Sequence, residues 1–285
     1  MAGIFSGLEK LGLGNIAGGD LFEDPSKKVV QVKEEAPKKK LQLVNEEDYL
    51  FDKKYKCPVC DSDFEAKTVR SGKVRMKNVD IDLRPDYDEL DQNKYDVIAC
   101  PFCGYAALSR YFPNLTKYQI DDIRVKICMN YQQIEYKEST YSYEHARRLY
   151  QLALANAVVK KAKNSEKAYI CLKTAWVVRG ETQRLDPEDA DYQVKKAENE
   201  AQEQELLKNA LNGFIMARQS EEFPIAGMDS TTLDYLIAAL AVETDERETA
   251  SKMISELLTS RVANSRIKDK ARTLKDILAE RNGES

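Results

Sequence analysis

Apolar residues nowhere run long enough to cross a bilayer. The longest stretch, YLIAALAV at 235–242, falls far short of the roughly 20 residues a spanning helix needs. An apolar leader is also missing, because Glu9 and Lys10 interrupt GIFSGLEKLGLGNI; a cytoplasmic, reducing setting is the expectation. Histidine is nearly absent. His145 is the only one, so a Cys-His nucleophile could draw only on His145 with Cys128 or Cys171. Those two cysteines lie in helical apolar patterns, where a free thiol ordinarily acts as a small buried hydrophobe. No phosphate loop, nucleophile elbow or metalloprotease helix occurs, and GLGNIAGG at 12–19 has the wrong spacing for a dinucleotide loop. The expectation is a protein that is not an enzyme.

Charge of one sign is lacking too. The net charge is −4, from 44 basic and 48 acidic residues, and no segment carries the positive excess that phosphate-backbone binding leaves behind.

Against these absences stand six cysteines, four of them in two Cys-Pro-x-Cys turns, YKCPVC at 55–60 and IACPFCGY at 98–105. Cysteines two apart on a tight turn aim both sulfurs at one point, and two such turns make a tetrahedral all-sulfur set suited to zinc. Cys57, Cys60, Cys100 and Cys103 are the predicted ligands of one structural Zn2+. Pro58 and Pro101 pre-set the turns. Gly104, after the last cysteine, suits a positive φ, and Asp61 occupies the matching place in the first turn. Residues 61–99 put 39 residues between the turns, where about 15–20 is usual. Doubling a loop costs only about 0.6 kcal/mol in closure entropy, against roughly 10–16 kcal/mol for structural zinc in small peptides. The long insertion is thermodynamically minor. The competing reading, a redox dithiol, needs one exposed low-pKa pair in a thioredoxin-like unit, which nothing in the pattern predicts.

Three segments follow along the chain. Residues 1–50 read as a flexible tail and charged linker, with Ile4, Phe5, Leu8 and Leu11 on one face of a glycine-weakened helix. Residues 51–113 read as a zinc-ribbon-like β module. DFEAKTVRSGKVRMKNVDIDL at 63–83 alternates with a period near two about a Ser71-Gly72 hairpin turn, and YDVIAC at 95–100 is a further strand. Lys67, Arg70, Lys73, Arg75 and Lys77 lie on or near that hairpin. Asp80, Asp82, Asp86, Asp88, Glu89 and Asp91 follow and could neutralise them across the sheet.

From about 114 to 285 the period is helical. Ile120, Ile123, Ile127 and Ile134 form a stripe after a Thr116/Gln119 capping box. Further stripes follow Ser142 (Ala146, Leu149, Tyr150, Ala153, Ala157) and Ser165 (Ala168, Leu172, Ala175, Trp176). Asp186-Pro187 opens a long polar helix to about 220, and three more apolar stripes bring the total to roughly seven helices. Leu149, Leu152 and Ala153 with Ala168, Leu172 and Ala175 follow the order of tetratricopeptide pairs, as do Leu233, Leu236 and Ile237 with Ala250, Ile254 and Leu257. Stacked pairs leave a concave face free, so a protein or peptide partner on the helical domain is expected; a plain bundle is the alternative. Tyr131, Tyr136, Tyr141, Tyr143 and Tyr150 cluster about one turn and fit either a helix seam or an interface.

YKCPVCDSDFEAKTVRSGKVR, YDVIACPFCGYAA and LKTAWVVRGE together resemble the bacterial domain-of-unknown-function family 2225, over most of the chain. The resemblance implies a four-cysteine zinc-ribbon-like head, with Cys57, Cys60, Cys100 and Cys103 as ligands, and tetratricopeptide-like helices. It implies no activity. The reading is an α+β protein, a small zinc-ribbon-like β module followed by an all-α tetratricopeptide-like domain, serving as a non-catalytic adaptor. A nucleic-acid-associated regulator using the basic hairpin is the alternative, and a thiol-redox protein using one Cys-x-x-Cys pair is the third.

Overall fold

Each Cys-Pro-x-Cys turn is itself the bend of a β-hairpin. In the computed structural model, which describes residues 45–70, 72–133, 138–281 and 283, β1 (Leu50–Lys56) enters the first turn and returns antiparallel as β2 (Asp63–Val69), with Tyr55 opposite Phe64. The second turn joins β5 (Val97–Ala99) to β6 (Ala106–Leu108), with Ala99 opposite Ala106. Between them β3 (Met76–Val79) pairs with β4 (Pro85–Tyr87). The period-two pattern in 63–83 thus marks strands, but the hairpin expected about Ser71-Gly72 does not form. Lys73 N–H donates to Arg70 O, yet β2 takes β1, across the first cysteine turn, as its partner. The segment 4–13, the glycine-rich stretch, Ser71, Ile134 and Tyr136 lie outside the described residues.

Seven α-helices are present among the described residues. α1 (Lys117–Ile123) starts at the Thr116/Gln119 capping box and passes directly into a π-helical turn, Arg124–Cys128. α2 (Tyr143–Val159) is capped by Ser142, whose hydroxyl accepts from His145 N–H. α3 spans Asn164–Thr182; Ser165 lies inside it rather than capping it, its N–H and hydroxyl both donating to Glu221. α4 (Tyr192–Ser220) begins several residues beyond Asp186-Pro187, because residues 186–191 form turns of their own. α5 (Ser230–Glu243), α6 (Arg247–Thr259) and α7 (Ser265–Arg281) follow. Successive helices from α2 to α7 pack side by side. The apolar residues of α3 to α7 supply one core, from Ala168, Leu172 and Trp176 through Leu207 and Phe214 to Leu236, Ile254 and Leu274. No helix among the described residues is long and apolar enough to cross a membrane.

The β5–β6 pair joins this helical part to the cysteine turns. Its alternation buries both faces. Ile98 and Ala107 enter the core of the cysteine module with Phe64, Tyr105, Phe112 and Ile123 of α1. Val97, Ala106 and Leu108 face Ala146, Tyr150, Ala153, Ile170 and Val177 of α2 and α3. A strand pair covered on both sides carries apolar residues at every position, which is what VIA and AAL provide. The described residues accordingly form one compact unit.

The long insertion is clamped to the helices rather than left as a loop. Asp82 is fully buried; it accepts from Trp176 Nε1 at 2.8 Å and pairs with Arg179 at 3.0 Å. Arg179 also meets Asp80, Glu203 and Glu243 at 3.2, 2.6 and 3.3 Å. Arg84, equally buried, donates to Gln183 and lies 3.6 Å from Asp91. Gly180 leaves the space for this contact, since a Cβ there would sit 2.2 Å from Asp91 Oδ2. The acidic run read as neutralising the hairpin cations therefore divides. Asp88 faces Lys77 at 3.6 Å, whereas Asp80, Asp82 and Asp91 turn inward to arginines. Three of the clustered tyrosines fill seams: Tyr150 donates to Asn93 O, Tyr143 to Asp91, and Tyr141 stacks on Tyr95 at 4.9 Å.

Burial, then the charge of Asp82, pushes the Glu243 carboxyl up to about 8, against the opposing pull of Arg179. A carboxyl that binds its proton more tightly when folded contributes stability fully present below its ordinary 4.5 and lost as pH rises through about 8. Thermal melts are expected to fall in Tm between pH 5 and 9, and Glu243→Gln is expected to flatten that fall. An unchanged slope in the variant would assign the dependence elsewhere.

Candidate metal centre

The two turns are built alike, which is why they present sulfur alike. Cys57 N–H donates to Ser62 O and Asp61 N–H to Cys57 O; Cys100 N–H donates to Tyr105 O and Gly104 N–H to Cys100 O. Asp61 and Gly104 both adopt positive φ, 62° and 75°. The first turn directs an N–H group at sulfur, Val59 N–H reaching Cys57 Sγ at 3.4 Å. Asn156 of α2 braces the second turn by donating to Gly104 O at 3.0 Å.

The four predicted residues converge. The sulfurs of Cys57, Cys60, Cys100 and Cys103 all lie within 4.8 Å of one another. Cys57 to Cys103 and Cys60 to Cys100 are both 3.6 Å apart. A tetrahedron with metal–sulfur bonds near 2.3 Å has edges of about 3.8 Å, so the spacing suits one ion and is far too long for disulfides, whose sulfurs stand about 2.05 Å apart. Cys57, Cys100 and Cys103 are buried, and Cys60 is partly exposed. Hydrogen bonds shared first with Cys103 and then with Cys57 draw Cys100 down to about 4, while the same sharing with Cys100 pushes Cys103 up. Closely packed thiols that hold protons between them present a donor set a cation can satisfy in the protons' place. The residues fit a metal.

Gly104 has a second constraint. Tyr131 lies against it so closely that a Cβ would stand 2.4 Å from its ring. Gly104→Ala is expected to cost at least about 1–2 kcal/mol for the left-handed backbone, plus the displacement of Tyr131. A urea titration reads this loss, and a midpoint equal to wild type would refute it.

Two residues beside the centre were not legible as part of it. Arg124 donates twice to Val59 O, at 3.0 and 2.7 Å, fastening the π-helical turn to the first cysteine turn. Cys128, at the end of that turn, is partly exposed and packs on the module core. Its place in an apolar helical stripe made it look like core; only the π-helical widening, frequent at functional positions, could have been a signal, and it has no sequence signature. Cys171 does lie in the helical core.

His145 is half-buried against the Tyr141 ring at 4.8 Å, and burial followed by Arg148 lowers it to about 4. It borders a cavity of about 990 Å³ between the β1–β2 hairpin, the second cysteine turn and α2. Of the hairpin cations, Lys67 pairs with Asp52 at 2.9 Å and Arg70 donates to Leu50 O.

Fold and site together define a two-turn, four-thiol β module built onto an all-helical part. The chain belongs to the family described as uncharacterized proteins conserved in bacteria, DUF2225, whose sequence profile matches residues 50–278. The match opens at the first residue of β1 and closes at Leu278, the last buried residue of α7. No curated protein and no solved structure matches the chain.

Proposed function

We propose that this protein is a zinc-stabilised, non-catalytic adaptor whose helical array binds a protein or peptide. The observation that carries this reading is the closed donor set. Four sulfurs fill a tetrahedral shell and three of the four cysteines are buried, which leaves no position for a substrate or an activated water. Zinc there stabilises structure, and the work falls to the surface. The tetratricopeptide-like order of residues in α2–α3 and α5–α6 supports a stacked array with one face free. α4 supports it further. Between 192 and 206 only Asn199 is buried, and exposed Val194 and Met216 fall about 40° apart around the helix axis.

The test is crosslinking from photoreactive residues at 194 and 216 in the source cells, with Met216→Glu as control. A discrete protein joined to both positions and lost in the control is expected. Absence of any protein crosslink would overturn the adaptor reading. So would binding to DNA or RNA that weakens steeply with salt, the signature of phosphate contacts.

A further inference from the structure

We propose that Arg124 is the counter-charge of the loaded four-thiol centre, and that metal loading in turn secures the π-helical turn Arg124–Cys128. The inference rests on the metal reading above and extends it to a residue outside the ligand set. Four thiolates around one divalent ion leave two negative charges uncompensated. Among the described residues Arg124 is the one charged side chain that bonds to the backbone of a cysteine turn, donating through Nε and Nη2 to Val59 O at 3.0 and 2.7 Å. Val59 immediately precedes Cys60, and its own N–H reaches Cys57 Sγ at 3.4 Å. The guanidinium is therefore fastened to the peptide segment that carries both sulfurs of the first turn. No carboxylate among the described residues pairs with it; Asp122, two positions away, takes Lys126 at 3.1 Å instead. The second turn is braced differently, by the neutral amide of Asn156 on Gly104 O.

The π-helical turn delivers this charge. Ile123, just before it, is fully buried in the core of the cysteine module, and Ile127 and Cys128 pack on the same core. Those three side chains fix the inner face of the turn and leave Arg124 to reach Val59 from outside. Widened turns of this kind are frequent at functional positions. The coupling runs both ways by necessity: if the docked guanidinium strengthens metal binding, metal binding strengthens its docking by the same factor. Exposed Val125 and Met129 lie in that turn and just after it, so the order of this apolar surface follows the state of the centre. Loss of an outer-shell partner costs roughly 10–100-fold in metal affinity. Arg124 is exposed, which lets salt screen its charge, and the effect expected here is about tenfold.

The full chain is loaded with zinc, and its affinity is read by competition with a chromogenic chelator at low and high potassium chloride. Arg124→Gln, which removes the charge, is expected to bind zinc about tenfold more weakly at low salt, and the deficit is expected to shrink at high salt. Arg124→Lys keeps a cation and is expected to fall between the two. Hydrogen exchange of the wild type is expected to show residues 124–128 protected with zinc and opened after chelation, with α3 to α7 protected in both. Equal affinities in wild type and Arg124→Gln overturn the proposal. So does a deficit that Arg124→Lys shares in full and salt does not alter, which marks a packing role alone. Exchange at 124–128 indifferent to zinc also overturns it, in a measurement that needs no variant to fold. A wild-type chain that takes up no zinc defeats the metal reading and the proposal with it, whereas the other failures leave that reading standing.

Discussion

Cys57→Ser is expected to purify with little or no zinc and with its β module unfolded, where the wild-type chain carries one ion. The expected size of the effect follows from comparing two magnitudes. Structural zinc contributes roughly 10–16 kcal/mol of apparent binding free energy in small peptides, whereas whole domains are stable by only about 5–15 kcal/mol. The module around the site has a modest core of its own, Phe64, Tyr105, Phe112 and Ile123 beside the cysteines, so an ion held there would be its main support. Loss should be visible in near-ultraviolet circular dichroism, because Tyr55, Phe64, Tyr105 and Phe112 pack ring to ring there at 4.9–6.0 Å. Cys171→Ala is the control. Its thiol lies in the helical core, and the substitution should cost about 1 kcal/mol with metal content unchanged. Full zinc occupancy in Cys57→Ser would refute the assignment of the ligands.

The second large effect is expected from Arg179→Met, far from the cysteines. Arg179 is the one guanidinium that meets Asp80, Asp82, Glu203 and Glu243 together. Methionine keeps much of the apolar volume and removes the charge. Asp82 would then stay fully buried with only Trp176 Nε1 and local backbone for partners. Leaving buried carboxylates without their cation costs about 3–5 kcal/mol, a large share of domain stability. Chemical denaturation at pH 7 measures the loss. A loss below about 1 kcal/mol would mean that water and the remaining partners suffice. Because this cluster ties the insertion to α3, α4 and α5, the variant also tests whether the β module is held by its ion alone.

The metal centre was the most legible part of the chain. A Cys-Pro-x-Cys turn determines its own geometry over six residues, so the sulfurs of each pair share a target before any tertiary contact exists, and positive φ falls at Gly104, which has no Cβ, and at Asp61, a residue type that tolerates it. Helices were legible for a similar reason: the stripes at Ala250, Ile254 and Leu257, or Ala271, Leu274 and Leu278, mark the face to be buried. The partner of β2 was not. Alternation shows that a strand exists but not which edge it meets, and a nearby Ser-Gly turn competed with the cysteine turn for that role. Asp80 and Asp82 misled in another way, since carboxylates near lysines in sequence look solvent-paired.

What the residue pattern alone determined is therefore short-ranged: two cysteine turns with their paired thiols, and helices with their buried faces, each set by backbone geometry within a few residues. The tertiary structure decided the rest. It placed Arg179 against Asp82, 97 positions away in the chain, set Tyr131 on Gly104, and packed Cys128 on the core of the cysteine module. Such contacts depend on how separate elements pack, and a buried charge or a fifth sulfur carries no periodic signal to announce where it will lie.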